Sequence, residues 1–273
     1  MEYKEVIFEI NPIEPWRDIL LAHLGELPYD SFVEEENGLK AYILSEDFDK
    51  SALDELCDEL NAQISFVVKD VKQQNWNAVW ESDFEPVRVG DACGIRADFH
   101  EPLEVEHEII ITPKMSFGTG HHATTFGMMH QMLQIDFSNK RILDMGCGTA
   151  VLAILAEKLG ATEIQGIDID EWAYNNALEN LQMNGCENIQ IAIGGAEKIE
   201  GFFDGILANI NRNVLLNDMP SYSNALKASG FILFSGFYTE DLGLIKQTAL
   251  DCGLEYIQYT TKDNWVAAQF VKR

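Results

Sequence analysis

The stretch from Arg141 to Asp170, RILDMGCGTAVLAILAEKLGATEIQGIDID, constrains the fold more than any other part of the chain. It reads as strand, glycine turn, helix, strand and carboxylate. Ile142 and Leu143 lead into Asp144-Met145-Gly146-Cys147-Gly148, where two glycines let the backbone turn sharply and let a ligand approach without a Cβ in the way. Residues 149–159 are densely apolar, with only Glu157 and Lys158 charged, and Gly160 stands where a left-handed helix stop belongs. A second strand, 163–167, ends in Asp168, 22 residues after Gly146. At that distance nucleotide pockets place a carboxylate on a ribose hydroxyl. The segment describes half of such a pocket, with Gly146, Gly148 and Asp168 as candidate ligand contacts.

Two cofactors compete for it. The dinucleotide fingerprint G-x-G-x-x-G also follows a strand, but the sixth position counted from Gly146 is Val151, so the third glycine that NAD pyrophosphate packing uses is absent. An acid two residues before the first glycine, then G-x-G and Ala150, resembles instead the first motif of class I S-adenosylmethionine (SAM) methyltransferases. Taken alone, the same letters also serve as a plain glycine turn in an ordinary α/β domain.

Length and composition narrow the partners. A chain of 273 residues holds one large or two modest domains, and 47% hydrophobic residues support a packed core. No apolar run reaches the roughly 18 residues of a membrane span. The start, MEYKEVIFEI, has neither a basic n-region nor an apolar h-region, so a soluble, cytoplasmic protein is expected, with no membrane partner. Cys57, Cys93, Cys147, Cys186 and Cys252 are scattered without a C-x-x-C pair; reduced thiols are expected, not a disulfide framework or a zinc site. The charge says more. Nineteen basic against 45 acidic residues leave −26, a field that repels phosphate backbones and disfavours direct nucleic-acid binding. Residues 1–70 hold 18 acids and 5 bases, half of the excess, and would draw a basic partner; solubility is the competing reason for that acidity.

Read in order, residues 3–10 alternate as a half-buried strand, and 12–24 carry Trp16, Ile19, Leu20 and Leu24 at helical spacing. Asn37-Gly38 is a hairpin signal between strands 32–36 and 39–44. A helix over 49–61 shows Leu53, Leu56, Cys57 and Leu60 as one stripe, and 64–68 supplies a further strand. The order β-α-β-β-α-β predicts a small ferredoxin-like α+β domain over residues 1–69. Residues 70–90 read as a helical interdomain linker, with Trp76, Val79, Trp80 and Phe84 on one face, ahead of a second domain over 91–273. Short strands are expected between 87 and 111. FGTGHHATT, residues 117–125, precedes an apolar helix over 126–133, which Thr124 or Thr125 is expected to cap unless it binds a ligand; the loop itself is placed at the pocket's edge. No metal is expected at His121-His122, because neighbours do not easily point at one ion and no carboxylate or thiol stands at ligand spacing. Beyond Asp168, Asp170 is the natural N-cap of a helix over 171–184. Strands 189–193, 203–208 and 231–235 alternate with helices 214–228 and 239–251, and strands 255–260 and 265–271 close the chain. The pattern predicts a seven-stranded doubly wound α/β sheet with Gly146, Asp168 and Asn209 at the strands' carboxyl ends, where ligands sit.

Together FGTGHHATT, DMGCGTAVLAILAEKLGA, GIDID and LANIN, behind an acidic front domain and an aromatic linker, resemble the PrmA family, which methylates large-subunit ribosomal protein eleven. The likeness runs over essentially the whole chain; Ala123 and Ala150 stand where the family often has proline and glycine. It implies a C-terminal class I SAM-dependent methyltransferase fold, a front domain that recognises the substrate protein, and a linker that lets it swing. It also implies SAM contacts from Thr125, Gly146, Asp168 and Asn209, and methyl transfer to lysine ε-amines and the N-terminal α-amine. Asn209 is the candidate catalytic residue, since its carbonyl can accept a hydrogen bond from the amine or from SAM without supplying a charge. Ile210 and Asn211 follow it, so the Asn-Pro-Pro-aromatic motif of nucleobase amino-methyltransferases is missing. The expected partner is the basic ribosomal protein, met free before assembly. A non-catalytic SAM-binding assembly protein and a small-molecule methyltransferase are the competing functions; the second leaves the front domain idle.

Overall fold

The computed structural model describes residues 3–25, 27–35, 37–60, 63–71, 84–112, 114 and 117–273. The chain divides into two compact units, 1–83 and 84–273. The first contains β1 (Tyr3–Asn11), α1 (Trp16–Leu24), β2 (Tyr29–Glu35), β3 (Gly38–Leu44), α2 (Lys50–Glu59) and β4 (Gln63–Val71). Its sheet is antiparallel throughout, in the order β2-β3-β1-β4. Period-two alternation brings Val6, Phe8 and Ile10 of β1 and Leu39 and Ala41 of β3 into one core with Leu20 and Leu24 of α1 and Leu53 of α2. The first helix starts later than its apolar spacing suggests, with Pro15 at its N-cap position. Asp49 caps α2 by accepting from the Ser51 and Ala52 amides.

Of the helical stripe expected in the linker, Trp76, Val79 and Trp80 lie outside the described residues. Phe84 is buried, edge-on to His121 at 4.6 Å and stacked on His100 at 6.0 Å. Residues 87–89, within the range 70–90, are not helical: Val87 and Val89 flank Arg88 in strand β5 (Val87–Val89), which pairs antiparallel with β6 (Cys93–Arg96). Strand β7 (His107–Ile110) joins β6 in parallel.

The rest of the second unit is α3 (Ala123–Met132), β8 (Arg141–Met145), α4 (Val151–Lys158), β9 (Glu163–Asp168), α5 (Glu171–Asn184), β10 (Ile189–Ile193), β11 (Phe203–Asn209), α6 (Arg212–Ala225), β12 (Leu226–Tyr238), α7 (Leu242–Asp251), β13 (Leu254–Lys262) and β14 (Trp265–Lys272). Seven strands line up as β10-β9-β8-β11-β12-β14-β13, with β14 antiparallel to both neighbours. Alternation again sorts the core. Ile142 and Leu207 face the cluster that holds α3, α4 and α5, while Leu143, Ile206 and Ala208 face the one that holds α6 and α7. Helix α6 ends at Ala225, short of the expected 228, because β12 begins at Leu226. Strand order turns over between β8 and β11, so a crevice opens at their carboxyl ends. Among the described residues no helix is long and apolar enough to cross a membrane.

One face of α5 carries polar residues that work as a ladder. Asn184 donates to the Ile110 carbonyl at 2.7 Å and accepts from the Ile110 amide at 2.9 Å, closing the edge of β7 as another strand would. Asn180, fully buried, accepts from the Thr112 amide and donates to the Thr149 carbonyl, both at 2.9 Å. Asn176 donates to the Thr112 carbonyl at 3.3 Å. These bonds fix the chain just before the 117–125 loop. Replacing Asn180 by Leu strands a buried N–H and a buried C=O, each costing about 1–3 kcal/mol. Urea unfolding of Asn180→Leu should show a loss of about 2–5 kcal/mol, and Asn175→Ala on the exposed face a change within about 0.5 kcal/mol. Equal effects at the two positions would contradict the ladder.

Candidate functional site

After Met145 the chain turns through Gly146 (φ 68°), Gly148 (φ 55°) and Ala150 (φ 63°) before entering α4. A Cβ on Gly146 would run into the Ile210 side chain, and one on Gly148 into the Phe117 carbonyl. Ala150 adopts the left-handed conformation without glycine's freedom, at a cost of roughly 1 kcal/mol, and is fully buried. Thr149 ties the 117–120 loop to this turn: its amide donates to the Phe117 carbonyl at 3.0 Å and its hydroxyl to the Gly118 carbonyl at 2.7 Å.

Two carboxylates pin the turn from below. Asp168 accepts from the Gly148 amide at 2.8 Å and, through its other oxygen, from the Asp170 amide at 3.0 Å. Asp144 accepts from the Ala153 amide at 3.1 Å, and its second oxygen is buried without a partner. Burial pushes the Asp144 carboxyl up to about 7; the Ala153 bond works against that rise and the charge of Asp168 adds to it. Burial also raises the Cys147 thiol well above its ordinary range, helped by the same two carboxylates, so this sulfur stays neutral.

A cavity of about 420 Å³ lies above the turn at the strand ends, with Gly146, Gly148, Asp168 and Asn209 all on its wall. Asn209 donates through Nδ2 to the Thr125 hydroxyl at 3.3 Å, which leaves its Oδ1 buried and without a partner. Thr125 sits in the first turn of α3, 1% exposed, and reaches the cavity through Asn209. Asp170 caps α5 by accepting from the Trp172 amide at 2.8 Å, as its sequence position predicts. The cap of α3 differs from expectation. His122, not a threonine, occupies the N-cap and accepts from the Thr124 amide, because the helix begins at Ala123 and takes both threonines into its first turn.

Sequence reasoning overlooked three parts of the wall: Ile169, 79% exposed beside Asp168; Gly194-Gly195 after β10; and Val214 with Asp218 on α6. The last pair lies three and seven residues from Asn211, a helical spacing that held the signal. Among the described residues no group of three His, Cys, Asp or Glu side chains gathers as a metal cluster would.

A sequence profile of the ribosomal protein L11 methyltransferase (PrmA) family matches residues 21–273. The chain belongs to that family. It is 41% identical to the ribosomal protein L11 methyltransferase of Phocaeicola vulgatus over all of both chains. It is 40% identical to that of Porphyromonas gingivalis over 99% of this chain and 98% of the relative. The ribosomal protein L11 methylase of Lactobacillus delbrueckii subsp. bulgaricus superimposes with a TM-score of 0.64 at 25% identity, covering 70% of this chain and 100% of that one.

The second unit has the class I SAM-dependent methyltransferase fold, and SAM is the cofactor. The residues present suit it. Two glycines hold the turn clear of side chains, Asp168 is fixed at the end of β9 and puts a carboxylate on the wall, which suits a cationic ligand, and Asn209 Oδ1 is an unused acceptor.

Asp168→Ala should weaken SAM binding at least tenfold by calorimetry, the loss of one charge-assisted hydrogen bond. Asp170→Ala should cost about 1 kcal/mol of stability as a lost cap, with SAM affinity held within about threefold. Equal affinity losses would overturn this division. A second outcome concerns pH. The folded carboxyl of Asp144 lies above its unfolded value of about 3.9, so its stabilising contribution is complete below that value and lost as pH rises through 7. A cationic ligand favours the ionised form, so SAM affinity should rise between pH 6 and 8, by at most about tenfold per unit. That of uncharged-sulfur S-adenosylhomocysteine should rise less, and the difference should vanish in Asp144→Asn. A pH-independent ratio of SAM to S-adenosylhomocysteine affinity in the unmodified protein would rule this out.

Proposed function

We propose that the protein transfers methyl groups from SAM to lysine ε-amines and the N-terminal α-amine of large-subunit ribosomal protein L11. The unpartnered Oδ1 of Asn209, on the wall of the SAM cavity, is the observation that carries the amine reading. Bound SAM supplies a methyl group on a positively charged sulfur, a good leaving group. The remaining work is positional. Thr125 holds the Asn209 amide by its nitrogen and so turns its carbonyl oxygen toward the cavity, where an amine N–H can donate to it. A free lysine has a pKa of about 10.4, so the amine must lose a proton before its lone pair can attack. Desolvation in a cavity lined by Met145, Ile169, Ile210 and Val214 favours the neutral amine. Asp168 places negative charge at the glycine turn, on the cofactor's side, and Asp144 adds to it when ionised.

For the front unit the reading is substrate recognition by residues 1–69, a ferredoxin-like module joined through 70–90 to the methyltransferase domain of 91–273. Its element order and antiparallel sheet support the first part, and its net charge of −13 over residues 1–70 suits a basic ribosomal protein met free before assembly. The chain-wide charge of −26 weighs against nucleic acid as the substrate.

Incubation of the full-length protein with purified L11 and SAM should add mass to L11 in multiples of one methyl group, and Asn209→Ala should slow the transfer about 100-fold, roughly 2.7 kcal/mol of transition-state stabilisation. No mass gain from a preparation that binds SAM tightly would favour the non-catalytic assembly protein instead.

A further inference from the structure

Beside the cavity, at the same end of the sheet, four rings form a chain. Phe117 lines the cavity and is 51% exposed. Its ring meets His122 edge-on at 5.2 Å, His122 meets Trp265 edge-on at 4.9 Å, and Trp265 meets Tyr238 at 4.0 Å with the planes tilted by 36°. Register places the far pair. Asn209 is level with Ser235, Ser235 with Ala267, and Tyr238 with Trp265, so Trp265 and Tyr238 stand just beyond the row of Asn209 on the carboxyl-end side. His122 anchors the near pair, since its Nδ1 accepts from the Thr124 amide, one residue before the threonine that orients Asn209.

Elsewhere several rings, exposed and buried, lie under the protein's own cations. Lys246 lies 3.4 Å from the Tyr256 ring centre and 5.5 Å from that of Tyr259, Lys262 lies 3.8 Å from Phe126, Arg141 4.7 Å from Phe203, and Lys50 5.3 Å from Phe66. Among the described residues no lysine or arginine lies over the four rings at the cavity. Tyr238 remains 40% exposed.

The geometry points to a cation port: Phe117, His122, Trp265 and Tyr238 receive the substrate's alkylammonium group, and its mono-, di- and trimethylated forms, by cation–π contact. This rests on the amine-methylation reading above. The chemistry explains why rings suit this position. Each transfer replaces an N–H donor by a methyl, so a site built only of hydrogen-bond acceptors loses its grip as methylation proceeds. A ring face attracts the positive charge however many methyls surround it, and a trimethylammonium most of all lacks any other handle. The port lets a partly methylated amine be held again at the cavity mouth for the next transfer.

The test separates binding from turnover. With S-adenosylhomocysteine present, the full-length protein should bind Nα-acetyl-Nε-trimethyllysine amide more tightly than the neutral isostere in which carbon replaces the ammonium nitrogen. Trp265→Leu and Tyr238→Leu should each reduce that preference by about 3- to 30-fold, Trp265→Phe and Tyr238→Phe should largely restore it, and SAM affinity should hold in all four. The exposed Tyr238 variants serve where Trp265→Leu disturbs folding. Equal affinity for the charged and neutral probes, or a preference that survives both leucine variants, overturns the port. In the methylation assay, the leucine variants should slow the third methyl addition to L11 more than the first; equal slowing of all three also overturns it. If the unmodified protein fails to methylate L11 yet shows the charged-probe preference, the substrate reading falls and the port stands.

Discussion

The structure depends on how a short turn is fastened between two carboxylates. Gly146, Gly148 and Ala150 take left-handed conformations within five residues, a path with no helical or sheet pairing of its own. Asp168 accepts the Gly148 amide and Asp144 the Ala153 amide, so both ends of the turn are anchored to strand ends. Ionised Asp144 is costly there, because it is 1% exposed and one of its oxygens has no partner. Protonation removes that cost, as the rise of the carboxyl to about 7 shows, and positive charge in the cavity above offsets it. The same arrangement therefore favours a sulfonium over a neutral thioether, and the methyl donor over its product.

A second layer of support holds the 117–120 loop. Thr149 binds the Phe117 and Gly118 backbone, and Asn180 binds both Thr149 and Thr112, so the turn, the 117–120 loop and the edge of β7 share one hydrogen-bonded frame with α5. Phe117 and His122 belong to the loop so fastened. Their rings are then held at the cavity by the backbone bonds that also shape the cofactor turn.

Much of this was legible in the sequence, and the parts that were not share a cause. Periodicity and turn residues located the seven strands, the helices between them and the N-cap at Asp170, since each depends on neighbours within a few residues. G-x-G followed by an acid 22 residues after Gly146 placed Gly146, Gly148 and Asp168 on one cavity. The asparagines of α5 were harder to read. At positions 176, 180 and 184 they occupy a helix face that pattern reasoning assigns to apolar residues, and their role exists only because β7 leaves its edge open beside them. His122 as a cap was equally hidden, because histidine is not a preferred N-cap and the adjacent threonines are. The ring chain needed pairing register: Tyr238 and Trp265 are 27 residues apart and become neighbours only when β12 and β14 align.

The choice of an amide at Asn209 follows from the charge balance of the proposed reaction. A carboxylate at this position would hold an incoming ammonium more strongly, but it would do so by raising the pKa of the very group that has to deprotonate. The neutral carbonyl of Asn209 accepts one N–H without that penalty, and Thr125 fixes which end of the amide faces inward. At the glycine turn the charge of Asp168, joined by Asp144 when it is ionised, lies where its field acts on the methyl donor. Positive charge is then stabilised at the sulfur and, through the aromatic rings, at the mouth, but not at the point where the lone pair must be free. In the proposed reading the acidity of the chain as a whole acts at longer range, on the encounter with a basic protein. In the proposed reaction each electrostatic element thus acts on a different stage, with the uncharged amide of Asn209 meeting the nucleophile.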